Sequence, residues 1–297
     1  MNQLKTILLL GALSALVVAG GAALGPQWTW VALAIALGMN LFGWFFSDRL
    51  VLRMSGAREV SREEALELHR MVEELSMRAE IPKPRVYLID APHANAFATG
   101  RGPDRAAVAV TRGLLEILTP REVRGVLAHE IAHVANRDVL VATVAAGLAT
   151  AVTHLAHVAA FAGLGGSRDG EEGSGGGGLL FLLLAPVGAT LVQLGISRQR
   201  EYLADAAGAR ISGDPLALAS ALEKLHRDAA EVPAQAEPAT ASLHIVNPFA
   251  GLGGLMALFS THPPAEERIR RLRALAMETG RPGPLVRGGA WRRPELG

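Results

Sequence analysis

The stretch that decides the fold is TPREVRGVLAHEIAHVANRD, residues 119–138. Thr119, Pro120 and Glu122 supply an N-cap, a proline at the first helical position and a capping-box partner, so a helix starts here. On it His129 and His133 are four residues apart. That spacing sets both imidazoles on one face, where they can hold a single tetrahedral zinc. Glu130 lies about 100° further round, at 3.6 residues per turn. From there it can act as general base on a water beside the metal. The same HExxH pattern also occurs on ordinary surface helices, so the rest of the site has to be found elsewhere in the chain.

A catalytic zinc takes three protein groups and leaves one position for water. The chain has no cysteine, which excludes disulfides and thiolate ligands and leaves His and carboxylates. The segment SRQREYLADAAGA, residues 197–209, offers Glu201 as third ligand. Asp205, four residues on, shares its face and either holds a ligand imidazole or pairs with Arg198 or Arg200.

The chain between the two motifs explains how they meet. Half of the 297 residues are apolar and the mean hydropathy is positive, as in a membrane protein. Residues 6–24, 28–46, 139–162 and 179–196 read as four transmembrane helices, each long enough for a hydrocarbon core of roughly 30 Å. Trp28, Trp30, Trp44, Phe45 and Phe46 stand at the ends of the second, as interfacial aromatics do. The last two spans are joined by GLGGSRDGEEGSGGGG, residues 163–178, a flexible acidic loop. His133 precedes the third span by roughly 9 Å of helix and Glu201 follows the fourth by roughly 7.5 Å. Both therefore stand at one height above one membrane face.

Arg49, Arg53, Arg58, Arg137, Arg198 and Arg200 flank the spans on one side, against Arg168 alone in the outer loop. This places the N-terminus and both soluble parts in the cytoplasm. The formal net charge of +1 argues against a nucleic-acid partner. Nothing in the sequence fixes an oligomeric state.

The expected organisation is membrane helices over 1–47, a soluble part over 48–138, a membrane hairpin over 139–196, a helical soluble part over 197–278 and a disordered tail over 279–297. In the first soluble part, Ser61 and Glu64 read as a capping box for a helix. RVYLID, NAFATG and AAVAVT read as strands of a small sheet. The second has a helix from near Asp214-Pro215, an Ala/Pro-rich linker over 229–242 and a helix after Pro263-Pro264. His154 and His157 sit inside the third span, about 22 and 27 Å beyond Val139, and read as packing or interfacial residues far from the metal.

HEIAHVANRD, REYLADAAGA, NAFATG and FSTHPPAEERIRRL occur in an arrangement that resembles the HtpX-type membrane zinc metalloproteases, gluzincin-like enzymes related to the CAAX prenyl endopeptidases. The resemblance spans nearly the whole chain. It implies a mainly α membrane protein in which four transmembrane helices carry a cytoplasmic α+β zincin-like domain with a small β-sheet. It implies one zinc ion on His129, His133 and Glu201, with Glu130 as base. Asn95, Ala96, Phe97, Ala98, Thr99 and Gly100 would form an edge strand that binds substrate backbone, and His262 and Arg268 would serve the oxyanion. The implied activity is endopeptidase cleavage of membrane or misfolded polypeptides, in quality control and stress response at the bacterial inner membrane. A CAAX prenyl endopeptidase would have more spans. A non-catalytic scaffold would have no need of Glu130 and three ligands.

Overall fold

The computed structural model describes residues 25–140, 198–231 and 263–280, with isolated positions before Gly25. The third and fourth expected spans beyond residue 140, the 163–178 loop, His154, His157, His262 and the tail from residue 281 lie outside the described residues, as does most of the first span.

Helix α1 runs Pro26–Met54. It contains the expected second span and continues through Asp48, so the expected boundary at 47/48 falls inside a helix. No Gly or Pro interrupts residues 44–54, and the chain turns only at Gly56, whose φ is +64°. Among the described residues no helix is both long and apolar enough to cross a membrane; the side chains at 39, 40 and 42–44 of α1 are outside that set.

Four strands follow: β1 Ala57–Glu59, β2 Arg85–Ile89, β3 Ala96–Gly100 and β4 Ala106–Thr111. The sheet is mixed, in the order β1-β2-β4-β3, with β2 and β4 parallel and the outer pairs antiparallel. The three expected strands are present and β3 stands at an edge. β1 is an addition, since its three residues, Ala-Arg-Glu, are too few and too polar to show a period of two.

Alternate residues of the sheet face two different cores. Val86, Leu88, Ala98, Val108 and Val110 pack with Leu68, Val72 and Leu75 of α2 (Leu66–Arg78) and with Val123, Leu127 and Ile131 of α4 (Pro120–Ala135). Tyr87, Ile89, Phe97, Ala107 and Ala109 pack with Val51 and Leu52 of α1. Between β4 and α4 lies the short α3, Arg112–Ile117. Ser61 and Glu64 do exchange bonds, at 2.6 and 3.3 Å, but they close a turn and not the helix expected of them. Ala65, at φ −137°, interrupts the helical backbone before α2 begins.

The remaining helices are α5 (Arg198–Ser212), α6 (Pro215–Glu231) and α7 (Ala265–Thr279). Helix α6 reaches three residues into the expected linker. Asp214 caps it by accepting from the Ala217 N–H at 3.1 Å. Two glycines let these helices press on α4. A Cβ at Gly208 of α5 would lie 2.8 Å from the His129 nitrogen, and one at Gly125 of α4 would lie 2.8 Å from that of Leu218.

Candidate metal centre

Helix α4 begins as the sequence predicts. Thr119 and Glu122 form a reciprocal capping box with Pro120 at the first position. Glu122 also accepts from Ser220 Oγ at 2.6 Å and Lys224 Nζ at 2.7 Å on α6. The start of the helix is thus fixed both by its own cap and by a neighbour. Within its last two turns, His129 and His133 turn to the same side, and α5 delivers Glu201 to them.

The three side chains each offer a ligand atom, all within 4.8 Å of one another. The two Nε2 atoms are 3.2 Å apart. The Glu201 oxygens stand 3.7 Å from Nε2 of His129 and 3.4 Å from Nε2 of His133. Each imidazole is backed on its other nitrogen by an aspartate: Asp205 Oδ1 lies 3.0 Å from Nδ1 of His129, and Asp138 Oδ2 lies 3.4 Å from Nδ1 of His133. With Nδ1 donating to a carboxylate, the proton is drawn from Nε2, whose lone pair is left free for a metal.

The aspartates are themselves held. Arg268 of α7 is buried and grips Asp205 with two bonds, Nε to Oδ2 at 2.8 Å and Nη2 to Oδ1 at 2.7 Å. Its Nη1 is 3.7 Å from Glu201. Buried Arg200 lies in the field of Asp138 and Glu201. Glu130, Asp138, Glu201 and Asp205 are four buried carboxylates facing the two buried guanidiniums of Arg200 and Arg268. With neutral imidazoles this leaves two negative charges, which a divalent cation neutralises. The donor set of two imidazoles and one carboxylate suits zinc.

The ionisation of the metal-free cluster reflects the same excess of acid. Burial alone would lower the pKa of His133, but Glu201 and Asp138 outweigh it and push it up to about 10. Burial likewise works against Asp205, yet Arg268 and then His129 hold it well below the usual carboxylate range. Glu130 goes the other way: burial raises its carboxyl, the direction that makes a carboxylate a stronger base.

Glu130 Oε2 accepts the Ala98 N–H of β3 at 2.9 Å. The edge-strand segment Asn95–Gly100 therefore runs beside the cluster. Its first residue is anchored to β4, where Thr111 Oγ1 accepts the Asn95 N–H at 2.8 Å. Of the site residues expected from sequence, the structure brings together His129, His133, Glu201, Glu130, Asp205, Arg268 and the β3 segment. Asp205 takes the imidazole and a cation from α7 in place of Arg198 or Arg200. Arg268 faces Asp205, Glu201 and the His129 ring. Sequence reasoning missed Asp138 and Arg200. Asp138 reaches back to His133 because Arg137 adopts φ +58°, a left-handed turn uncommon for a non-glycine residue. The sequence signal was an aspartate five residues past the second histidine.

The sequence profile of Peptidase family M48 matches residues 62–276. A "Protease HtpX homolog" of Burkholderia thailandensis is 52% identical over 284 residues, covering 94% of this chain and 99% of its own length. A protein of the same name from Burkholderia mallei matches at the same identity and coverage. Among solved structures, S. mikatae Ste24p aligns with TM-score 0.49 at 19% identity, over 91% of this chain and 65% of its own.

Proposed function

The chain belongs to peptidase family M48, and on that premise we propose that it is a membrane-held zinc endopeptidase working at the cytoplasmic face of a bacterial membrane. The metallopeptidase class follows from the family and from the name its relatives carry. The observation that carries the zinc reading is the convergence of His129, His133 and Glu201 within 4.8 Å, with Glu130 fixed beside them. In support of the membrane, α1 turns Trp30, Leu37 and Leu41 outward at 74%, 60% and 52% exposure. Apolar surface of that extent calls for a covering of lipid or of further apolar helices.

His129, His133 and Glu201 would hold the zinc. When bound, it polarises the scissile carbonyl and acidifies water. Glu130 takes a proton from the attacking water as the oxygen bonds to the carbonyl carbon, then delivers it to the amide nitrogen as the C–N bond breaks. A carboxylate and an amine result. Asn95 to Gly100 would pair with substrate main chain, which recognises any extended polypeptide and gives broad selectivity. Membrane and misfolded proteins are the substrates this suits. His262 is proposed as the donor to the oxyanion. Arg268 is a positioning residue, because its contacts run to Asp205, to Glu201 and to the His129 ring.

The test is cleavage of an unfolded protein by the purified chain in detergent. Chelator should abolish cleavage and added zinc should restore it. Cleavage indifferent to chelator would overturn the reading.

A further inference from the structure

Where the apolar run of α1 ends, Phe45 stands against the turn that follows β3. Phe45, Arg101, Gly102, Asp104 and Arg105 line an open cavity of about 350 Å³ there. The Arg101 guanidinium carbon lies 5.6 Å from the centroid of the Phe45 ring. Its Nε is buried without a hydrogen-bond partner. Among the described residues, neither arginine nor Asp104 has an ion-pair partner. The turn has a fixed shape: Gly100 and Gly102, on either side of Arg101, have φ of +141° and +154°. A Cβ at Gly100 would come 2.5 Å from the Arg105 carbonyl oxygen. The backbone therefore sets Arg101 over Phe45, and the zinc chemistry proposed above uses none of Phe45, Arg101, Asp104 and Arg105.

A buried guanidinium nitrogen with no acceptor is costly, and a group that brings an acceptor oxygen to it removes the cost. Two arginines against one aspartate favour a single negative charge, and a planar guanidinium matches the paired oxygens of a phosphate. The position selects among phosphates. Phe45 and Phe46 are the last apolar residues before Ser47, Asp48 and Arg49, and from them the exposed Leu41, Leu37 and Trp30 extend back along α1. The cavity thus sits at the foot of an apolar flank, as the headgroup level sits at the foot of a lipid leaflet.

We propose that this cavity binds the phosphodiester headgroup of an anionic phospholipid, with its acyl chains along α1. An acidic peptide would use the charge and leave the apolar flank unused. The bound lipid would hold the Gly100 end of the edge strand at the membrane surface. The proposal rests on the membrane reading above.

The experiment is native mass spectrometry of the full chain in detergent, titrated with phosphatidylglycerol or phosphatidylcholine. Wild type should hold one phosphatidylglycerol in clear preference to phosphatidylcholine. Arg101→Gln/Arg105→Gln should weaken that binding roughly 10–30-fold, while thermal unfolding shows the variant folded. If the double variant fails to fold, Arg105→Gln should show a smaller loss and Asp104→Asn a gain. Equal affinity for the two lipids, or unchanged binding in a folded double variant, would overturn the proposal. So would inorganic phosphate displacing the lipid at equal concentration, or an acidic peptide outcompeting it. Carbonate release of the wild-type chain from membranes would instead sink the membrane reading. Retention in the membrane with unaltered lipid binding in the variants would sink only the cavity.

Discussion

The backbone N–H of Ala98 donates to Oε2 of Glu130 at 2.9 Å, so the carboxylate proposed as general base is tied to the strand proposed to receive substrate. Glu130→Gln should keep its zinc and lose roughly 10²–10⁴-fold in kcat, because it removes the base and leaves the ligands. Ala98→Pro deletes the N–H from an edge strand, where proline is tolerated. It should keep zinc and lose turnover, through a base no longer held in place. Turnover of a fluorogenic peptide with metal assayed in parallel decides. Full activity of Glu130→Gln would end the proposed mechanism.

Glu201→Ala should purify without stoichiometric zinc, since two imidazoles underligate the ion. Asp138→Asn removes the carboxylate behind His133 and not a ligand. It should weaken zinc roughly 10–100-fold, read by competition with a chromogenic chelator. If Asp138→Asn binds zinc like wild type, Asp138 has no part in orienting His133.

Arg268 separates two roles. As a positioning residue it neutralises Asp205, and removing one partner of a buried pair costs about 3–5 kcal/mol. Arg268→Ala should therefore lower both Tm and zinc affinity. Loss of kcat alone, with zinc and Tm intact, would show that Arg268 acts directly on the oxyanion.

Acid stability should report on Glu122. Burial raises its pKa, but Lys224, Ser220 and Thr119 outweigh that and hold it below its ordinary 4.5. A depressed folded pKa means that the stabilisation is complete above the ordinary value and is lost as pH falls through the lowered one. Thermal unfolding followed from about pH 6 to about pH 3 should fall more steeply in wild type than in Glu122→Gln. Parallel curves would show that the tie between α4 and α6 is not ionic.

The parts of this protein that could be read in advance are those encoded within one element. The cap at Thr119, the four-residue spacing of His129 and His133 and the apolar runs of β2 and β4 each depend on neighbours a few residues away. Glu201 was reachable because REYLAD carries a carboxylate that the expected spans over 139–162 and 179–196 would return to the height of His133. Asp138 depends on a left-handed Arg137 that no residue type announces. The bond from Arg268 to Asp205 links residues that lie 63 positions apart. β1 exists only because β2 presents an edge for it to pair with.

Gly208 decides how closely the third ligand approaches the first two. It lies seven residues after Glu201 on α5. An added Cβ would sit 2.8 Å from the His129 nitrogen and 2.9 Å from its Cα, against backbone that cannot rotate away. Alanine is the better helix former by about 1 kcal/mol, while overpacking a close contact costs about 1–3 kcal/mol. The obstacle is rigid, so the cost should win. Gly208→Ala should push α5 off α4 and draw Glu201 away from the imidazoles, weakening zinc at least ~10-fold with a modest fall in Tm. Gly125→Ala is the contrast: its Cβ would meet Leu218 of α6, and α6 carries no ligand. That variant should lose stability and keep its zinc. Chelator competition and thermal unfolding on both proteins test the pair, and a Gly208→Ala protein with wild-type zinc affinity and an undiminished Tm would refute this account of how the site is assembled.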